Sequence, residues 1–345
     1  MPASEAVLPF TASFNPPWFM RGGHVQTVFG FYKRRNLAWT EPAEDLIVES
    51  EPGIRILSRA SYQPGPRQAS PALILLHGMG GWNDSSYLLS MGLHAYAAGY
   101  HVVRMNMRGA GASFEICPRL YHAGLETDLV AVARAVAVEV SRVGLFGASL
   151  GANHVLLALG RSKAALPSAV RAGVAISPPL DLVRCSEALH AWPNRFYVSY
   201  FLERLNATYA RIQLRSGGFY ESGREAGVKT VRDFDERITA PYGGFADADD
   251  YYTQSSSGPH VAAIDRPALI VSAEDDPMIP GDSIRRFAAA QNRNVVHEIY
   301  PTGGHVGFTS ASRAPGDFWA ADRALAFFDE HIRGAPPRLD EAILR

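Results

Sequence analysis

Short apolar runs rich in branched residues alternate with longer amphipathic runs along this chain, and that alternation constrains its fold more than any other feature. The strand-like runs are residues 72–76 (ALILL), 100–105 (YHVVRM), 142–146 (RVGLF), 173–177 (GVAIS), 268–272 (ALIVS) and 295–300 (VVHEIY). Most are apolar nearly throughout, as parallel strands covered on both faces are. Helix-like runs separate them at 85–98, 125–140 and 150–159, while 283–290 and 318–332 flank the last strand. The pattern predicts an α/β class fold: a mostly parallel central sheet, right-handed crossovers and helices on both faces. An irregular leading pair, 45–49 and 54–59, turns around Pro52-Gly53 and reads as an antiparallel hairpin.

Two stretches break the alternation. Residues 9–36 are aromatic and turn-rich without a clear period. Residues 183–264 form a connection far longer than ordinary links between a strand and its neighbour. That connection holds helix-like pieces at 196–214 and 230–238 and a loop-like piece, rich in Tyr, Gly and Asp, at 241–252. It is expected to cover the carboxyl edge of the sheet as a lid. The organisation is therefore an N-terminal extension (1–40) packing on the core, a core made of 41–182 and 265–345, and a cap inserted at 183–264.

Composition excludes several classes. With 33 Lys+Arg against 34 Asp+Glu, the formal charge is −1, too balanced for a broad nucleic-acid or anionic-membrane footprint. The chain is 47% hydrophobic and 19% charged, which argues for a large core and against disorder. Cys117 and Cys185 are too few for a disulfide framework, and no C-x-x-C pair or Cys/His cluster suggests zinc. The start, MPASEAVLPFTASF, has neither a basic lead nor a sustained apolar stretch, so a signal peptide is not expected. No window approaches a membrane span, and a cytoplasmic protein without stable membrane insertion is the expectation.

The chemistry concentrates at the carboxyl ends of the expected strands. Gly147-Ala148-Ser149-Leu150-Gly151 follows RVGLF and opens the helix LGANHVLLAL, the strand–turn–helix setting that gives a G-x-S-x-G motif its meaning. The sharp turn strains Ser149 and presents its hydroxyl at the sheet edge, with a helix N-terminus behind it. Taken alone, the pentapeptide would also suit a Gly/Ser-rich turn with no chemistry. A serine needs a base, and His305 stands in Gly303-Gly304-His305-Val306-Gly307 after the last strand. An orienting acid is available in Glu274-Asp275-Asp276-Pro277-Met278-Ile279-Pro280. Asp276, directly before Pro-x-Ile-Pro, is the choice, and Asp275 stays open as a turn-capping alternative. Two backbone amides are expected to receive an oxyanion: Leu150 N–H, and Met79 N–H from His77-Gly78-Met79-Gly80-Gly81. His77 reads as a hydrogen-bonded loop residue, and His24 and His122 either line the site or serve structure.

With these motifs in view, the chain resembles the α/β-hydrolase superfamily, and more narrowly its YheT-like branch. The likeness rests on NPPWFMRGGHVQT, LLHGMGG, MNMRGAGAS, PRLYHAG, LFGASLGAN, SPPLDL, TAPYGGFADADDYY, AEDDPMIP and GGHVGF, spanning roughly residues 15 to 310. It implies a Ser149–Asp276–His305 triad and hydrolysis of short- to medium-chain carboxylic esters, without cofactor or metal. Acyl transfer to an alcohol and lipase- or phospholipase-like activity are alternatives within the family, and a non-catalytic hydrolase-fold binding protein is a further one. The expected partner is a small uncharged ester; oligomeric state is not legible. The rest of the sequence offers no competing chemistry: Gly109-Ala110-Gly111 lacks the third glycine of a dinucleotide fingerprint, and neither a P-loop nor H-E-x-x-H occurs.

Overall fold

The computed structural model describes residues 14–288, 292–310 and 317–334. The first thirteen residues of the N-terminal extension, residues 289–290 of the helix expected at 283–290, and the core's end from 335 onward lie outside them. Among the described residues eight strands form one sheet in the order β1-β2-β4-β3-β5-β6-β7-β8. The strands are β1 (Glu44–Glu51), β2 (Ile54–Ser61), β3 (Ala72–Leu76), β4 (His101–Met105), β5 (Val143–Ala148), β6 (Val170–Ile176), β7 (Ala268–Ala273) and β8 (Val295–Tyr300). β3 to β8 pair in parallel; β1 and β2 form the leading antiparallel hairpin, joined to β4 through β2.

Eleven α-helices are described: α1 (Gly23–Arg34), α2 (Ser86–Ala97), α3 (Glu126–Ala137), α4 (Leu150–Gly160), α5 (Leu182–Leu189), α6 (Arg195–Gln213), α7 (Val231–Phe234), α8 (Ala240–Gly243), α9 (Ala248–Ser255), α10 (Gly281–Ala288) and α11 (Trp319–Phe328). Side chains of β3 alternate between two cores. Ile74 and Leu76 join Leu129, Val132 and Val155 of α3 and α4 on one face. Leu73 and Leu75 join Leu88, Met91 and Phe327 of α2 and α11 on the other. This is the period-two consequence of a strand covered on both sides. No helix among the described residues is long and apolar enough to cross a membrane.

Two expectations need correction. The stretch 241–252, expected as a loop, is largely helical, falling in α8 and α9. Its Gly and Asp residues are end signals: Gly244 terminates α8 at φ 81°, and the Asp247 carboxylate caps α9 by accepting the Asp250 N–H at 2.8 Å. The aperiodic stretch 9–36 contains α1. The face that α1 buries is Gly23, Gln26, Gly30 and Arg34, so the helical period is present but carries no hydrophobic signal.

Five of the helices, α5 to α9, lie in the connection between β6 and β7. They bring two apolar clusters with them. Leu189 of α5 and Tyr197 of α6 pack with Met278, Ile279 and Ile284 beyond β7. Tyr209 and Ile212 of α6 pack with Tyr220, Phe234 and Ile238.

Candidate active site

Ser149 is the first place where the sheet meets chemistry. β5 ends at Ala148 and α4 begins at Leu150, leaving Ser149 at φ 54° and ψ −122°. That left-handed conformation is unfavourable for any residue with a side chain and is held by its surroundings. The Ser149 N–H donates to Ile176 O at 2.9 Å, while its carbonyl accepts the Ala152 and Asn153 N–H groups at 2.9 and 3.2 Å. The flanking glycines are a packing necessity. A Cβ on Gly147 would stand 2.2 Å from Gly151 O, and one on Gly151 would stand 2.3 Å from Leu76 O.

The Ser149 hydroxyl lies 2.8 Å from His305 Nε2, and His305 Nδ1 lies 2.9 Å from Asp276 Oδ2. One hydrogen-bonded line thus joins residues from the ends of β5, β7 and β8. Asp276 is buried, and its other oxygen, Oδ1, accepts the Met278 and Ile279 N–H groups at 2.8 and 3.1 Å. The turn made by Pro277-Met278-Ile279-Pro280 therefore holds the carboxylate from the side away from the imidazole. Asp275 faces elsewhere. Its Oδ1 accepts the Gly303 and Gly304 N–H groups at 3.0 and 2.9 Å, and its Oδ2 accepts the Thr302 hydroxyl at 2.7 Å. Of the two adjacent acids, one meets the imidazole and the other tethers the backbone of the loop that carries it.

That loop is strained and needs the tether. Among the described residues, non-glycine positive φ occurs at Ser149, Ser177, Val306 and Phe308, all around this site. α1 supplies the counterweight, which sequence reasoning missed. The Thr27 hydroxyl accepts the His305 N–H at 2.8 Å. The Arg34 guanidinium donates to Val306 O and Gly307 O at 2.8 and 3.0 Å. Burial pulls Arg34 down to about 10, leaving it cationic at neutral pH. Gln26 donates to Met20 O and Thr309 O at 2.8 and 3.2 Å and accepts the Thr309 N–H at 2.8 Å. Gly23 lets the helix start against the acid loop, since a Cβ there would fall 1.6 Å from Asp275 O. The only sequence signal for these roles was the GGHVQT segment itself.

The two amides expected as oxyanion donors are unspent. Neither the Met79 nor the Leu150 N–H has an acceptor among the described residues, whereas Gly78 N–H donates to the Tyr87 hydroxyl at 2.7 Å and Gly80 N–H to the Tyr121 hydroxyl at 2.8 Å. Leu150 N–H is also a first-turn donor of α4, where the helix dipole favours negative charge. His77 is a buried loop residue, as expected. Its Nε2 accepts the Met107 N–H at 3.1 Å, and burial lowers it to about 4.

A cavity of about 110 Å³ opens beside Ser149 and His305, lined by Met79 and Leu150 and walled mainly by apolar residues such as Leu182, Phe201, Leu205 and Met278. Its polar wall carries His122, Asp235, Tyr252 and Thr239. The His122 ring accepts the Gly124 N–H through Nδ1 at 3.2 Å, and burial lowers its titration to about 3, so it is a neutral lining group. Asp235 accepts the Tyr252 hydroxyl at 2.7 Å, and burial raises its carboxyl to about 6. His24 sits apart from the cavity, stacked on Tyr197 at 5.8 Å.

Known proteins extend these observations. A family model for the alpha/beta hydrolase fold matches residues 71–311. The embryogenesis-associated protein EMB8 of Picea glauca is 32% identical over 71% of this chain and 55% of its own length. The chain thus spans about half the length of that relative. Phospholipase ABHD3 of Mus musculus is 29% identical over 69% of this chain and 58% of its own. Escherichia coli YheT, which carries the word esterase in its name, is 30% identical over 91% of this chain and 92% of its own. Among solved structures, the esterase Pf2001 of Pyrococcus furiosus superposes with a TM-score of 0.56 at 15% identity, covering 86% of this chain and 97% of that one. At such identity the likeness is one of fold. With the family model matching most of its length and YheT aligning over nine-tenths of both proteins, the chain belongs to the α/β-hydrolase family, in its YheT-like branch.

Proposed function

We propose that the protein is a serine carboxylesterase acting on uncharged esters with short- to medium-chain acyl groups. The observation that carries this reading is the continuous line from Ser149 Oγ through His305 to Asp276, at 2.8 and 2.9 Å. His305 Nε2 takes the Ser149 proton as Oγ attacks the ester carbonyl carbon, and the carbonyl oxygen becomes an oxyanion held by the Met79 and Leu150 amides. Asp276 fixes the tautomer with the proton on Nδ1 and stabilises the imidazolium. Collapse of the tetrahedral intermediate expels the alcohol, protonated by His305, and leaves an acyl-serine. Water, deprotonated by the same histidine, then attacks that acyl group, and the acid leaves as Oγ is reprotonated. No cofactor enters.

The mainly apolar cavity supports an uncharged acyl chain, and its volume of about 110 Å³ supports a short one. The helices between β6 and β7, which supply Leu182, Phe201 and Leu205 to its wall, act as the lid over this site. The names of YheT and ABHD3 add support for ester cleavage. Turnover of p-nitrophenyl esters from acetate to octanoate tests the proposal. Activity should be highest at the short end and fall by several orders of magnitude in Ser149→Ala, which should also lose fluorophosphonate labelling. Undiminished hydrolysis by Ser149→Ala would refute the mechanism, and ethyl esters formed in preference to acid on adding ethanol would reassign the second half-reaction to acyl transfer.

A further inference from the structure

Helix α1 is built inside out. The face turned to the protein is Gly23, Gln26, Gly30 and Arg34, whereas Val25, Phe29, Phe31 and Tyr32 are exposed. A surface helix ordinarily buries its apolar stripe. Here Gln26 and Arg34 of the buried stripe bond the segment that follows His305, its glycines pack close, and the apolar side faces outward. Trp18 and Phe19, in the turn before α1, are 80% and 62% exposed. α6 continues the surface: His24 stacks on Tyr197 and meets Phe196, and Phe31 meets Tyr200 at 6.4 Å edge to face. Trp192, just ahead of α6, is 77% exposed. Scattered exposed apolar residues need no explanation, but this many exposed aromatic side chains on one helix, the turn before it and the head of the neighbouring helix do.

The charge on this face is one-sided. Residues 14–40 hold Arg21, Lys33, Arg34 and Arg35 and no Asp or Glu, a local excess that the whole-chain balance of −1 conceals. Lys33 pairs with Asp317 and Arg34 is buried, but Arg21, Arg35 and, at the head of α6, Arg195 are exposed without a carboxylate partner among the described residues. Further along α6, Arg204 lies over Tyr200 of the same rim at 4.4 Å, whereas Arg211 stacks on Phe114 and is not counted with this face. A second copy is a poor occupant, because a two-fold contact would bring two such cationic faces together with no Asp or Glu in residues 14–40 to pair them. An anionic surface with an apolar interior matches both halves of the face, since aromatic rings enter the acyl boundary while arginines meet phosphates.

We propose that the outer face of α1, with the Trp18-Phe19 turn and the Trp192–Tyr200 rim, docks the protein on an anionic lipid surface. The docking stands independently of the esterase reading; its consequence, that the ester is drawn from that surface, rests on it. α6 links the two, presenting Phe196 and Tyr200 outward while Phe201 and Leu205 line the cavity beside Ser149.

Flotation of the full chain with vesicles tests this, using equimolar phosphatidylglycerol and phosphatidylcholine against phosphatidylcholine alone. Binding to the anionic vesicles is expected at low salt. The variant Trp18→Ser/Phe19→Ser/Phe29→Ser should bind at least roughly tenfold more weakly. Arg21→Gln/Arg35→Gln should bind roughly 30-fold more weakly at low salt, a difference that 0.5 M salt erases. Both variants should hydrolyse soluble p-nitrophenyl butyrate as the wild type does, which shows that they fold. Ser149→Ala should float like the wild type, so a failed esterase reading and a failed docking reading are separable. The proposal is overturned by wild-type protein that ignores anionic vesicles at low salt, by an aromatic variant that binds undiminished, or by sedimentation showing a dimer that the aromatic variant dissolves.

Discussion

Asp275 and Asp276 show how much a single position decides. They are neighbours in sequence and identical in chemistry, yet one accepts backbone amides of the histidine loop and the other meets the imidazole. Their contributions should separate in kinetics. Asp276→Asn keeps the side chain's shape but misaligns the tautomer, and kcat should fall roughly 10³–10⁴-fold. Asp275→Ala releases Gly303, Gly304 and Thr302, displacing the base without removing it, for a loss of roughly 10²-fold. A larger loss at Asp275 would contradict the roles assigned here. The candidate triad was legible because each of its residues stands beside glycine or proline at a strand's carboxyl end, where a turn signal and a polar side chain coincide. Arg34 and Gln26 gave no comparable signal. A buried guanidinium bonded to two carbonyls is, in sequence, one more arginine in KRR.

At the level of elements, the sheet was readable because its strands are covered on both faces and so nearly all apolar, which is why the expected runs fall within a few residues of β3 to β8. Helices that bury an apolar stripe were equally plain. α1 escaped because helical periodicity in sequence is detected through hydrophobicity, and its inner stripe is glycine and hydrogen-bonding side chains. The helices α8 and α9 escaped because their capping residues are those that loops also favour. A positioning role for α1 has a measurable signature. Thr27→Val removes the acceptor of the His305 N–H while leaving the cavity lining intact. It should lower kcat roughly tenfold with little change in KM, the size of one lost hydrogen bond, and Thr27→Ser should restore it. Equal kcat in all three proteins would remove α1 from the site.

For the molecule as a whole, stability should carry an imprint of the cavity. Burial raises the Asp235 carboxyl from 3.8 to about 6, with the Thr239 and Tyr252 hydroxyls opposing. Between those values the native state binds the proton that the unfolded chain has released. Stability linked to this group is therefore fully present below about pH 3.8 and lost as pH climbs through about 6. Asp235→Asn escapes that loss. It should melt higher than wild type above pH 6, by up to about 3 kcal/mol of stability, and converge with it near pH 4; a constant offset across pH would exclude this origin. The bonds from α1 to the histidine loop have a consequence of another kind, one of timing. Arg34 and Gln26 grip carbonyls 272 to 283 residues further along, and Ser149 waits for an imidazole 156 residues downstream. While the chain is being synthesised, the serine emerges without its base and the first helix without its seat. The line from Ser149 to Asp276 closes only once residue 305 has been made, and the seat of α1 only once residue 309 has.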